Sequence, residues 1–200
     1  MPIPLGVLAV AGAGGGGGAA GAYEWIETVS VGTAVSSVSF SNLNSTYGTT
    51  YQHLQLRATY RTSSVVGFTD MRLRFNSDTG SNYSFHALST GESSLIVVST
   101  GFANQTYARM GWAAGDNNNS NVFTASVVDI LDPFETTKNK TIRALTGFMG
   151  TSSAEERMLG LLSGDWRNTG AVTTITLSPA SGNFPVGSRF SLYGMRSVNP

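Results

Sequence analysis

The stretch His53-Leu54-Gln55-Leu56-Arg57-Ala58-Thr59-Tyr60 alternates apolar and polar side chains without interruption. Leucine, alanine and tyrosine occupy every second position, and glutamine, arginine and threonine lie between them. Successive side chains of a β-strand point to opposite faces of a sheet, so a strand with one buried face has this period. The stretch therefore predicts a half-buried strand.

Similar short stretches recur on both sides of this strand. Asp70–Phe75 alternates in the same way, Asn76–Gly80 has the composition of a turn, and Tyr83–Leu88 is predicted to return as the hairpin partner of Asp70–Phe75. Further strands are predicted at Tyr23–Val31, Val35–Leu43, Ser94–Ser99, Thr106–Trp112, Val122–Leu131, Thr141–Met149, Met158–Ser163, Val172–Leu177 and Arg189–Met195.

The spacing of these stretches indicates the fold class. No window of ten or more residues has convincing helical periodicity. Many short strands separated by turns are typical of a sandwich or a barrel. With long loops among the strands, we expect an all-β, jelly-roll-like two-sheet β-sandwich. The sandwich domain is expected to cover residues 23–200, and residues 1–22 are expected to form an extended, Gly-rich N-terminal arm.

The composition excludes several classes of protein. Charged residues make up 12% of the 200 residues, against about 25% in a typical soluble domain, and the formal net charge is zero. The chain has no basic run, so we expect no nucleic-acid partner. It has no cysteine, which excludes disulfides and thiolate metal sites. A neutral surface rich in Ser, Thr, Asn and Gly suits close contact between subunits, although it also suits a simple sandwich with many turns.

Residues 1–22 are apolar and rich in glycine, and three interpretations compete. A signal peptide would have a basic start and no proline or glycine interruptions, whereas Pro2, Pro4 and the run Gly14–Gly18 interrupt this segment. A membrane span needs about 20 apolar residues, and the apolar run is shorter. We therefore expect an extended arm that docks on a partner, and no membrane span. The expected partner-binding residues are Ile3, Leu5, Val7, Leu8 and Val10.

The titratable residues do not form a recognisable catalytic pattern. His53 and His86 are isolated on predicted strands, and an isolated histidine on a strand is usually a surface or interface residue. The segment Asp116–Asn121 resembles a calcium loop but lacks the glycine and the closing glutamate of an EF-hand. We therefore expect no catalytic residue, no metal site and no cofactor.

Two pairs of residues remain as alternatives for sugar chemistry, one of two carboxylates and one of a carboxylate and an aromatic ring. Asp129 and Asp132 flank the end of a predicted strand, and Asp165 lies beside Trp166, whose ring could stack on a sugar. The favoured interpretation is that Trp166 packs at a sheet edge or in a subunit contact.

Several segments, taken in order, carry a family resemblance. They are Met1–Gly6, Ser39–Phe40, Tyr51–Arg57, Leu73–Tyr83, Asp129–Thr141 and Gly182–Gly194. Together they resemble a group of tailed-bacteriophage virion proteins. The resemblance covers nearly the whole chain and implies a structural protein of the phage head or tail, with no catalytic motif. It implies a protein made in the host cytoplasm and located in the virion.

Three functions follow from these observations. The first is an outer capsid decoration, or cement, protein that forms a homotrimer, with its arm lying across the major capsid protein or between neighbouring copies. The second is a tail fibre or tail-tip protein whose arm joins a tail adaptor protein. In that case Trp112 and Trp166 are expected on exposed loops, in contact with a host receptor. The third is a carbohydrate-active or carbohydrate-binding module, which predicts an acidic cleft or a row of stacked aromatic rings.

Overall fold

The computed structural model describes residues 23–91, 97–150 and 157–196. The predicted arm, with its five expected contact residues, lies outside the described residues. The described part contains one short helix, α1, at Leu43–Tyr47, and twelve strands. The strands are β1 Tyr23–Ser30, β2 Val38–Phe40, β3 His53–Tyr60, β4 Phe68–Phe75, β5 Tyr83–Gly91, β6 Val97–Gln105, β7 Ala108–Ala114, β8 Thr124–Leu131, β9 Lys140–Met149, β10 Arg157–Trp166, β11 Ile175–Pro179 and β12 Arg189–Met195.

Eight of the strands form a jelly roll, which confirms the predicted fold. β1, β2, β3 and β4 pair antiparallel with β12, β11, β8 and β7, as the two halves of one long hairpin would. The hairpin is rolled up, since β12 also pairs with β3, and β11 with β4. The result is two groups of four strands, and each group contains strands from both halves of the hairpin. Their orders are β1-β12-β3-β8 and β2-β11-β4-β7. This is the double-sheet arrangement of a jelly roll.

Two inserted hairpins enlarge one of the two sheets. β5 and β6 are inserted between β4 and β7, and β9 and β10 between β8 and β11. They continue the first sheet in the order β8-β9-β10-β5-β6, so that this sheet has eight strands and the other has four. The larger sheet therefore extends well beyond the jelly-roll core.

The hairpin predicted between Asp70–Phe75 and Tyr83–Leu88 is wrong. The first belongs to β4 in the four-stranded sheet, and the second belongs to β5, which pairs with β10 and β6 in the eight-stranded sheet. The turn between them crosses from one sheet to the other. Asn76, with a positive φ of 51°, directs the chain across, and its side-chain oxygen accepts a hydrogen bond from the Thr173 N–H at 2.7 Å.

The strand predicted at Val35–Leu43 is also much shorter than expected. Only Val38–Phe40 forms a strand, and Leu43 begins helix α1. Asn42 adopts the left-handed conformation, with a φ of 58°, and this ends the extended backbone. Leu43 is buried as the first residue of the helix, so its apolar side chain reaches the core from a helix and not from a strand.

The core lies between the two sheets and is rich in aromatic rings. The ring of Tyr60 stacks on that of Phe190 at 5.8 Å between centroids. Its hydroxyl is 2.7 Å from the Ser126 hydroxyl, which in turn donates to Thr146 at 2.7 Å. Burial raises the pKa of Tyr60 to about 12, although both hydroxyl partners oppose the rise. The phenol is therefore neutral and satisfied inside the sandwich.

Candidate interaction surface

The outward face of the eight-stranded sheet carries a row of aliphatic side chains. Val127 on β8 lies opposite Leu145 on β9, Leu145 opposite Leu161 on β10, and Leu161 opposite Leu88 on β5. Their exposed fractions are 39%, 57%, 49% and 50%, respectively. Leu159 and Val97, both 56% exposed, lie in the neighbouring row of the same face. We call these six residues the outer apolar patch.

The size of this patch distinguishes it from scattered surface leucines. Each of its side chains exposes about half of its area, and together they expose on the order of 500 Å² of apolar surface. The largest apolar patch on a typical soluble monomer measures about 300–600 Å² and is often functional, so this patch is a candidate contact surface. None of the six side chains carries a charge, so the patch suits an uncharged, apolar partner surface.

A polar row runs alongside the outer apolar patch. Asp129 accepts a hydrogen bond from the side chain of Gln55 at 2.8 Å and one from Arg143 at 2.7 Å. Partial burial raises the pKa of Asp129, but the hydrogen bonds from Gln55 and Arg143 outweigh it and hold the pKa below the usual value. The carboxylate is thus ionised and occupied on both oxygens. Its role here is to fix Arg143 at the border of the patch.

A shallow groove of about 650 Å³ lies across the same face, between the polar row and the β5–β6 hairpin. On its floor the small Ser163 lies between the larger Arg143 and His86, and Gly101 lies opposite His86 on β6. A Cβ at Gly101 would lie 2.5 Å from the ring of His86. The groove is therefore a depression in this outward face. It adjoins the outer apolar patch at Leu88 and Leu161.

Among the described strands, β6 is the last of the large sheet and pairs on one side only, so we call its other side the free edge. Its nine residues, Val-Val-Ser-Thr-Gly-Phe-Ala-Asn-Gln, include no charged residue and no proline. Seven of the nine are exposed, among them Val97, Val98 and Phe102. Proteins usually protect such edges with lysine, proline or very short strands. Because β6 has none of these features, its backbone is available to pair with another strand.

The expected positions of two tryptophans are wrong. Trp112 lies in β7 and Trp166 at the end of β10, and they are only 5% and 2% exposed. Trp112 fills the space over Gly160, where an added Cβ would lie 2.3 Å from its ring. Trp166 packs against Phe75 at 5.5 Å between ring centroids. Both rings are core residues that hold the two sheets together, so neither can contact a receptor in this structure.

Trp25 is the exposed tryptophan that sequence reasoning missed. It lies on the edge strand β1, is 64% exposed, and donates its indole N–H to Thr28 at 2.9 Å. Nearby, the Arg57 guanidinium lies 5.1 Å from the ring of Tyr193 and 5.8 Å from that of Tyr23. Glu24 and Glu27, which lie close to Trp25 in the sequence, could have indicated that this strand is half-exposed.

Three of the candidate titratable residues, His53, Asp129 and Asp132, have structural partners. The Nδ1 atom of His53 accepts the backbone N–H of Asp132 at 3.0 Å. Asp132 also forms an ion pair with Lys138, and Asp129 is occupied by Gln55 and Arg143. These two carboxylates are thus engaged with their neighbours and do not face each other across an open cleft.

Side chains of the loop Asp116–Asn121, which resembles a calcium loop in sequence, bind other groups of the protein. In this loop Asp116 pairs with the buried Arg61 at 2.9 Å, and the Asn118 side chain donates to the Gly67 carbonyl at 2.7 Å. Within the described ranges, no group of three or more His, Cys, Asp or Glu side chains could hold a metal ion.

The outer apolar patch was missed because the alternation was interpreted for one face only. In β8 the inward Val128 follows the outward Val127, and in β10 the inward Leu162 follows the outward Leu161. A strand that is apolar on both faces is the signal that could have revealed a second contact surface.

No known protein family matches this chain, and no curated protein or solved structure matches it significantly. In the part of the chain that the structure describes, no helix is long and apolar enough to cross a membrane.

Proposed function

We propose that this chain is a structural subunit of a tailed-bacteriophage particle, and that it works by packing against copies of itself and other particle proteins. The observation that carries the proposal is the outer apolar patch on a sheet that the inserted hairpins have enlarged. Burying about 500 Å² of apolar surface contributes roughly 12 kcal/mol before the costs of association. Association costs of about 4–15 kcal/mol offset much of this gain, and repetition of the contact around a particle multiplies what remains.

The position in the particle that we favour is the outer shell, as a decoration protein. The jelly-roll body forms a homotrimer, and the arm reaches the major capsid protein or a neighbouring copy. Jelly rolls occur in viral capsid proteins as well as in lectins and cupins, so the fold supports this role by analogy only. The low charge and the sequence resemblance to virion proteins point the same way. The chain would then be made in the host cytoplasm and located in the virion.

A non-enzymatic role is part of this proposal. Three of the chemically capable side chains have structural tasks: His53 accepts a backbone N–H, Asp129 holds Arg143, and Asp132 pairs with Lys138. Each of them is occupied by a neighbour in the fold. A particle subunit needs no turnover, and this use of its polar residues is consistent with that.

A tail location is the second candidate, and Trp25 is the observation that favours it. An indole that is 64% exposed and oriented by Thr28 could stack on a surface glycan. The arm would then join a tail adaptor protein, and Trp25 would replace Trp112 and Trp166 as the expected receptor contact.

Quantitative mass spectrometry of purified particles, from a culture that produces the chain, tests both candidates. A copy number comparable with that of the major shell protein supports decoration. A handful of copies per particle supports the tail role. If the particles lack the chain although the cells contain it, the virion proposal is wrong.

A further inference from the structure

We propose that the free edge of β6 binds the segment Pro2–Val10 of a neighbouring copy as an added strand. This inference rests on the proposed assembly of the chain with itself, and it identifies the partner segment and the surface that receives it.

The four sheet edges differ in how well they are protected. The edge strand β1 carries Glu24, held by Arg196 at 2.8 Å, and the charged Glu27. β2 has only three residues, and β7 is almost wholly buried. β6 alone among the described edges is long, uncharged and exposed. An extended peptide that pairs with such an edge gains backbone hydrogen bonds along the whole strand.

The sequence of the arm suits pairing along one side only. In a strand, the backbone groups of residues i and i+2 point to the same side, so Pro2 and Pro4 place their missing N–H groups on one edge. Ile3, Leu5 and Val7 then present their N–H and C=O groups on the other edge. An added strand of this kind pairs with β6 along one edge, and its first residues, Pro2 and Pro4, offer no N–H group to a further strand on the other edge.

The side chains also match in character. Ile3, Leu5 and Val7 lie on one face of an extended chain, because they are two residues apart. Next to them on the sheet, β6 offers Val97 on the outward face and Val98 and Phe102 on the other. No residue of the segment Pro2–Val10 and no residue of β6 carries a charged side chain, so bringing them together costs no charge desolvation.

The strand order favours binding of the arm to β6 of another copy. The arm leaves the sheet at Tyr23 on β1, and β6 is the last strand at the opposite end, seven strand spacings or roughly 34 Å away. A neighbour placed end to end brings its β6 directly beside this exit point. Such a head-to-tail contact closes into a ring when the rotation between copies fits. The homotrimer of the proposed function is such a ring.

Disulfide trapping tests the inference, since the chain has no cysteine of its own. Full-length Leu5→Cys and full-length Thr100→Cys, carrying different tags, are mixed and oxidised. Cysteines bridge only when their Cα atoms are about 6 Å apart. We expect a covalent heterodimer in high yield. The control pairs Leu5→Cys with Val65→Cys, whose exposed site lies in the loop between β3 and β4. Equal cross-linking of the control and the β6 pair would overturn the inference.

The double variant Leu5→Cys/Thr100→Cys distinguishes binding of the arm to another copy from binding of the arm to its own chain. Covalent rings and multimers support exchange between copies, whereas a bridge within single chains contradicts it. A second variant, Val98→Lys, places a charge on the free edge, and it should lower the fraction of oligomer at least tenfold while the circular dichroism spectrum stays that of the folded native chain. If β6 fails both tests but the chain still joins particles, this inference is wrong and the proposed function stands. If the chain also stays out of particles, both are wrong.

Discussion

The indole N–H of Trp166 donates a hydrogen bond of 2.6 Å to the Oδ2 atom of Asp78. Trp166 ends β10 in the large sheet, and Asp78 lies in the turn that leaves β4 in the small sheet. Asn82 and the Gly80 N–H also donate to this carboxylate, at 2.8 and 2.7 Å. The carboxylate thus links the turn that crosses between the sheets to the end of β10, one of the strands that carry the outer apolar patch.

Replacing Asp78 with alanine should destabilise the fold by about 1–3 kcal/mol, because the buried indole N–H of Trp166 loses its acceptor. Urea unfolding followed by tryptophan fluorescence measures the change. Thr79→Ala, at an exposed neighbouring position, is the matched control and should stay within about 0.5 kcal/mol of the native chain. Equal stability of both variants would mean that the Asp78 hydrogen bonds do not hold the crossing.

The same carboxylate makes stability depend on pH. Burial raises its pKa, but the hydrogen bonds from Trp166, Asn82 and Gly80 outweigh it, so the pKa of Asp78 lies below the usual value of 3.8. Its contribution is present above pH 3.8 and is lost as the pH falls through the lowered pKa. Asp78→Asn should therefore flatten the loss of stability below about pH 4. Unfolding curves from pH 2 to 6 check this, and an unchanged slope would contradict it.

Gly160 is the position on β10 where a methyl group cannot fit. An added Cβ would lie 2.3 Å from the ring of the buried Trp112, so Gly160→Ala should cost about 1–3 kcal/mol by overpacking. Gly32→Ala is the control, since a Cβ there meets nothing within 4 Å. Adding Trp112→Phe to Gly160→Ala should reduce the cost of the alanine, and a double-mutant cycle measures this coupling. Strict additivity would contradict the contact.

Lys140 is a fully buried lysine that holds two loops together. Its Nζ atom donates to the carbonyls of Glu135, Lys138 and Thr169 at 2.5, 2.9 and 3.0 Å. Lys140→Met leaves these carbonyls without a donor and should destabilise the fold by at least about 2 kcal/mol. Lys138→Met, at a side chain that is 54% exposed, is the control and should have a much smaller effect in thermal unfolding. The reverse order would contradict this role for Lys140.

Polar substitutions in the outer apolar patch should separate assembly from folding. Leu145→Ser and Leu161→Ser remove exposed side chains, so the stability of the isolated chain should change by less than about 0.5 kcal/mol. Incorporation into particles, measured by quantitative mass spectrometry, should fall at least tenfold. Val65→Ser, at an aliphatic residue 78% exposed in another region, should leave incorporation unchanged. Full incorporation of both leucine variants would remove the basis of the proposed function.

The alternation along single strands was sufficient to predict the sandwich. His53–Tyr60 and Arg189–Met195 form strands with the predicted bounds, because each has one face in the core. Alternation does not say which sheet a strand joins, and the Asn76–Gly80 turn looks the same whether the chain doubles back or crosses between sheets. The partner of Tyr83–Leu88 depends on β10, about 75 residues later in the sequence, and local patterns do not carry that information.

The candidate sites were harder to predict because they depend on what covers each residue. Trp112 is buried because Gly160 on a distant strand makes space for its ring, and no feature of its own surroundings in sequence shows this. The outer apolar patch is assembled from one residue each of β5, β6, β8 and β9 and two residues of β10, which become neighbours only in the complete sheet. The exposure of β6 likewise follows from its place at the end of the strand order.

The mass of the full-length chain in solution tests the central claim, that this protein is built to assemble with itself. The chain has a mass of 21.0 kDa, and light scattering coupled to gel filtration measures the oligomer over micromolar concentrations. We expect a closed ring, a trimer, which the Val98→Lys variant converts to monomer. A native chain that remains monomeric over the whole concentration range would contradict it.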